Sequence, residues 1–171
     1  MITPTPWFER KFDFNFPVEL FPVIMERLRG TQPRLEAMLK DIPEKNLSMK
    51  VDEHWSIKEQ VGHLYDLEDL WYGRIEDFLA GEKTLRVADL NNTKTKEADH
   101  NSRSSTELIR QFTQARNRLI SKVENMDKAT AASTALHPRL QQPMRLVDAL
   151  FFVAEHDDHH LTNIREILFR K

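Results

Sequence analysis

The residues able to do chemistry gather in one short stretch of the chain, Glu155-His156-Asp157-Asp158-His159-His160. On a helix, side chains four apart lie on one face with Cβ atoms about 5–6 Å apart, close enough for two imidazoles to reach one metal ion. His156 and His160 have that spacing, and His156 with His159 is a second, three-apart option. Helical angles separate the two. With Leu150 at zero, His160 falls at about −80° and His156 at about −120°, at one edge of the apolar arc, whereas His159 falls at about 180° and is expected to face solvent. On the second of the four expected helices His63 lies at about −100° from Leu64, also at a core edge. Three neutral nitrogens, His63, His156 and His160, suit a divalent ion, zinc or nickel first, with iron, copper or manganese as other candidates. Three protein ligands leave a coordination position open, as catalytic rather than structural zinc sites do.

Two carboxylates are candidate catalytic groups. Asp157, at about −20°, falls in the middle of the apolar face, where a charge is costly unless paired or hydrogen-bonded. It could support a ligating histidine or make a structural hydrogen bond. Glu59, one turn before His63, could act as a base or serve only as the capping partner of Ser56.

These residues must be held by helices. Ser56 and Glu59 form a capping-box signature, after which Ile57, Val61, Leu64, Trp71, Ile75 and Phe78 recur at helical spacing up to Gly81. An earlier helix runs from Val18 towards Ile42, with Gly30 and Pro33 expected to break it. A third carries Leu108, Phe112, Leu119, Ile120 and Val123, and a fourth follows Pro143 to the C-terminus. No strand pattern is evident. Residues 1–17, with Pro4, Pro6, Pro17 and five aromatic residues, read as an extended arm that packs on the bundle or binds a partner. Residues 83–103 form a long polar connection, a candidate functional loop or lid. The expectation is therefore an all-α four-helix bundle over residues 18–171 with an N-terminal arm.

Composition removes other classes. There is no cysteine, so no thiolate ligand or cysteine nucleophile. A net charge of −2 without a basic stripe argues against nucleic-acid binding. No apolar run spans a bilayer, and residues 1–7 carry no signal-peptide pattern, so a cytoplasmic protein is expected.

Two segments carry a family resemblance. Trp55-Ser56-Ile57-Lys58-Glu59-Gln60-Val61-Gly62-His63-Leu64 and Glu155-His156-Asp157-Asp158-His159-His160-Leu161-Thr162-Asn163-Ile164 resemble the helix-2 and last-helix motifs of the DinB family. Residues 27–35 and 142–148 are also similar. The resemblance implies a four-helix bundle whose metal is held by His63, His156 and His160. Related bundle proteins include metal-dependent transferases using low-molecular-weight thiols, and thiol-dependent isomerases. A small-molecule substrate with such a thiol is therefore the first expectation. A metal-dependent hydrolase and a non-enzymatic, metal-stabilised binding or stress protein are the alternatives. Family members are often dimers, so a homodimer is among the states the resemblance allows.

Overall fold

A computed structural model describes residues 4–50 and 54–169. Positions 1–3 of the expected arm and positions 170–171 lie outside the described residues. In chain order the helices are α1 (Phe21–Leu39), α2 (Glu44–Leu47), α3 (Ile57–Asp66), α4 (Glu68–Leu79), α5 (Thr93–Glu97), α6 (Ser105–Val123), α7 (Lys128–Ala131) and α8 (Leu146–Phe169). The bundle is built from α1, the α3–α4 pair, α6 and α8: α1 packs on α8 and α6, α3 on α6 and α8, and α4 on α6.

Local chemistry starts and stops these helices. The Ser56 hydroxyl accepts from the Glu59 N–H while the Glu59 carboxylate accepts from the Ser56 N–H, a complete capping box at α3. At α6 the Ser104 hydroxyl accepts from the Glu107 N–H, a simple N-cap. Beyond α4, Gly81 takes φ +73°, the left-handed conformation that glycine adopts without steric cost.

Three expectations need correction. α1 is not broken at Gly30 and Pro33; it runs continuously. Long-range contacts override the local breakers: Leu28, Thr31 and Leu35 are fully buried, and Arg27 and Arg34 bind Asp158 of α8, each at 2.6 Å. The helix read as one over residues 57–78 is interrupted at Leu67, between α3 and α4. Among the described residues two strands are present: β1 (Thr134–His137) pairs antiparallel with β2 (Gln142–Arg145). Strands this short, one containing Pro143, leave little period-two signal.

The arm's described residues lie against the bundle. Trp7 packs on Phe152 at 5.0 Å between ring centroids. Arg145 anchors the chain further along by donating to the Phe14 and Phe16 carbonyls, both at 2.9 Å.

The core is divided. One apolar cluster includes Leu28, Ile75, Leu119 and Leu150, and a second includes Leu35, Val61, Phe112 and Ile164. Fully burying a side chain of this kind contributes about 1.5–3 kcal/mol. On each long element the residues between the clusters include buried polar groups: Thr31 on α1, Asp66 and Glu68 at the α3–α4 junction, Arg116 on α6, and His156, Asp157 and His160 on α8. The bundle thus carries a polar layer across its middle.

Candidate metal centre

His63, His156 and His160 meet in this layer. Each offers a ring nitrogen, and those nitrogens all lie within 4.8 Å of one another. The three residues are 3–5% exposed. The four-residue step on α8 brings His156 Nε2 and His160 Nε2 to 3.1 Å. Two nitrogens at about 2.0–2.1 Å from one tetrahedral ion would stand about 3.3 Å apart, so the observed spacing fits a shared ion.

Hydrogen bonds set which nitrogen of each ring is free. The Thr95 hydroxyl donates to Asp66 Oδ2 at 2.8 Å. It can then only accept from His63 Nδ1 at 3.0 Å, which puts the proton of His63 on Nδ1 and leaves Nε2 as an acceptor. His100 Nε2 meets the same Asp66 oxygen at 2.8 Å. On the opposite side His160 Nδ1 donates to Gln60 Oε1 at 2.5 Å, which frees Nε2. Such bonds fix ring orientation and raise ligand basicity in metal sites. His156 differs, because its Nδ1 is buried with no partner.

The electrostatics keep these rings neutral. Burial, followed by repulsion from neighbouring rings, holds His156 and His160 well below the ordinary histidine value. Burial brings His63 down to about 4, with Asp66 opposing. Neutral imidazole is the form that binds metal, so the site needs no deprotonation near neutral pH. Three neutral nitrogens from a desolvated pocket fit a borderline first-row divalent ion.

The two candidate carboxylates sit elsewhere. Glu59 is occupied by the Ser56 N–H at 2.8 Å and by Lys50 at 2.8 Å. Asp157 turns away from the histidines: it accepts from Thr31 Oγ1 at 2.7 Å and binds Arg116 at 2.5 and 3.0 Å. His159 does not face solvent as the helical wheel implied. It is half-buried and stacks on Trp7 at 5.6 Å, because the N-terminal arm covers that side of α8.

Sequence reasoning missed several residues at this centre. Gln60 and Asp66 flank His63 at three-residue steps on α3, a helical spacing that was available in the sequence. Thr95 and His100 come from the polar connection and carry no local signal. That connection is tied down by α5, by buried Leu85 and by the Arg86–Asp77 ion pair at 2.7 Å. Gly62 permits this packing, since a Cβ there would lie 2.3 Å from the His100 ring.

A cavity of about 490 Å³ opens beside the histidines. Trp7, Trp55, Trp71 and Phe152 form apolar walls, and Arg74, His137 and Arg139 line another part. A cavity of this size and composition suits a small molecule.

The DinB superfamily model matches residues 27–164. No curated protein matches the chain by sequence. Among solved structures the chain is similar to YfiT from Bacillus subtilis, described as a probable metal-dependent hydrolase with an unusual four-helix bundle topology. That match has TM-score 0.76 and 19% identity, covering 93% of this chain and 91% of the other. It is also similar to a mycothiol-dependent maleylpyruvate isomerase, with TM-score 0.68 and 11% identity. There the match covers 88% of this chain and 61% of the isomerase.

Proposed function

This chain belongs to the DinB superfamily, and from its three-histidine centre we propose that it is a metal-dependent enzyme joining a low-molecular-weight thiol to a small electrophilic substrate. The observation that carries this reading is the convergence of three buried, neutral imidazoles on one wall of an apolar cavity. His63, His156 and His160 would hold the ion, with zinc or nickel the first candidates. A bound divalent ion supplies Lewis acidity that lowers the pKa of a thiol or water placed against it, giving a nucleophile at neutral pH.

The chain's own residues supply the rest. Gln60 and Thr95 hold two of the rings in orientation through their Nδ1 atoms. Trp55, 4.7 Å from the His63 ring, and Trp7, 5.0 Å from the His156 ring, shield the centre from water. The absence of cysteine agrees with a nucleophile brought from outside. A thiol route needs little proton transfer from the protein, and both carboxylates that the sequence offered as bases are committed elsewhere. The mycothiol dependence of one structural neighbour supports the thiol class.

Metal-dependent hydrolysis is the second reading, and the likeness to YfiT, described as a probable metal-dependent hydrolase, favours it. The test is metal analysis of protein purified without chelator, then thiol consumption with an electrophile panel and hydrolysis of an ester panel. Wild type is compared with His160→Ala in each assay. Thiol consumption that falls with His160→Ala supports the first reading, and ester hydrolysis that falls instead supports the second. Metal in fewer than about a tenth of chains, or equal rates in both proteins, overturns both.

A further inference from the structure

One part of the cavity carries positive charge that the chain does not neutralise. Arg74 of α4 is only 4% exposed. Its Nε donates to the Arg86 carbonyl at 3.1 Å and its Nη1 meets His137 Nε2 at 3.0 Å. The nearby carboxylate, Asp77, is taken by Arg86 in contacts of 2.7–3.1 Å. Arg139, in the turn between β1 and β2, lies 5.4 Å from the Phe8 ring and 5.7 Å from the Phe152 ring. Its Nη2 is buried with no hydrogen-bond partner. Among the described residues neither guanidinium has a carboxylate within ion-pair distance, whereas the buried Arg116 has two.

His137 adds to the surplus of donors. Its Nδ1 faces the Leu140 N–H at 3.1 Å, and its Nε2 faces Arg74. Burial and the two arginines push this imidazole down to about 3, so it is neutral and has one acceptor nitrogen for two donors. Buried donors without acceptors are costly, and an oxyanion supplies the missing acceptors.

We propose that Arg74, Arg139 and His137 form an oxyanion subsite, and that the substrate of this centre is a small organic acid whose carboxylate or phosphate binds there. Its apolar body lies along Phe152, Trp71 and Trp7 toward the three histidines. The inference deepens the enzymatic reading by naming a substrate class, and it rests on that reading only in taking the cavity as the substrate chamber.

Calorimetric titration tests it, using phenylacetate, phenyl phosphate and neutral phenylacetamide as probes on the full chain, as purified and after chelation. At least one anion should bind about tenfold or more tightly than the amide, as expected of charge-assisted hydrogen bonds. The anion that binds identifies carboxylate or phosphate. Arg139→Gln and Arg74→Gln should each weaken that anion by about tenfold or more and leave the amide unchanged. If Arg74→Gln does not fold, the half-buried Arg139→Gln carries the test alone. No anion binding, equal binding of the amide, or unchanged anion binding in the foldable variants overturns the proposal. Anion binding that chelation abolishes and Arg139→Gln leaves intact also overturns it, because the ion would then hold the anion. Metal content is read separately on Arg139→Gln, where it should equal wild type, so failure of the metal centre and failure of the oxyanion subsite remain distinguishable.

Discussion

His156 and Asp157 are neighbours in sequence, yet they enter two polar clusters of opposite character in the same buried layer. Around Asp157 the chain supplies its own partners: Arg116 donates to Asp157 and, at 2.6 Å, to Glu68, while Thr31 donates to Asp157 at 2.7 Å, and in this cluster Glu68 Oε2 is the atom left over. Around His156 two imidazole nitrogens face each other, Nε2 to Nε2 at 3.1 Å, and the His156 Nδ1 has no partner. The Arg116 cluster points its hydrogen bonds inward, at its own members. The histidine cluster is organised on its outer side, through Gln60, Thr95 and Asp66, and left open on its inner side. Burial alone does not distinguish the two, but the direction of the unsatisfied groups does.

The largest effect is expected in the closed cluster. Arg116→Met strands Asp157 and Glu68 in the core and should cost about 3–5 kcal/mol in urea unfolding. It should act through stability rather than through the loss of any ligand to the ion. A loss below about 1 kcal/mol would erase the contrast, since the carboxylates would then not depend on their partner.

The open cluster should behave in reverse. His160→Ala should leave the metal-free protein folded and abolish metal retention. Chelation should lower the stability of wild type by about 2.7 kcal/mol for an ion present at a hundred times its dissociation constant, and leave His160→Ala unaffected. Thermal unfolding with and without chelator reads this directly. Equal chelator responses in the two proteins would show that the histidines are structural.

A smaller effect tests the outer support. Thr95→Val removes the acceptor for the His63 Nδ1 proton and should weaken metal binding about 10–100-fold, with the ligands intact. Competition against a chromophoric chelator measures it. Unchanged affinity would mean that the Asp66–Thr95–His63 chain only ties the connection to α3.

The two clusters were not equally legible in the sequence. His156, His160 and His63 could be found because helical spacing is local: a step of four and two core-edge angles require no knowledge of the fold. The four-helix pattern and the Ser56–Glu59 cap were legible for the same reason. Asp157 could be recognised as misplaced on an apolar face, but its partner Arg116 lies 41 residues away on another helix, and no local rule pairs them. Thr95 and His100 belong to a stretch without periodicity, where composition indicated only a connection. The continuity of α1 through Pro33 and the burial of His159 are likewise set by contacts from other elements, α8 in one case and the arm in the other.

The comparison also predicts opposite responses to acid. Arg116 brings one positive charge to two carboxylates, and burial raises Glu68 from its ordinary 4.5 to about 7. Its second oxygen, Oε2, has no partner and can carry the proton. Between those pH values the folded state holds a proton that the unfolded chain has lost, so this contribution is full below 4.5 and disappears as pH rises through about 7. The histidines run the other way. With His63 lowered from 6.5 to about 4, the unfolded chain takes up a proton that the folded state refuses, and stability falls as pH drops through that window. In metal-free wild type Glu68 offsets about one histidine. Glu68→Gln keeps an acceptor for Arg116 and removes the proton, so its stability should fall more steeply than wild type between pH 6.5 and 4.5. The added slope should be up to about 1.4 kcal/mol per pH unit, the linkage of one proton. Urea unfolding at half-unit pH steps gives both slopes. Parallel profiles would mean that Glu68 is ionised throughout and that Arg116 satisfies both carboxylates, which would make the closed cluster more complete than its unpartnered oxygen implies.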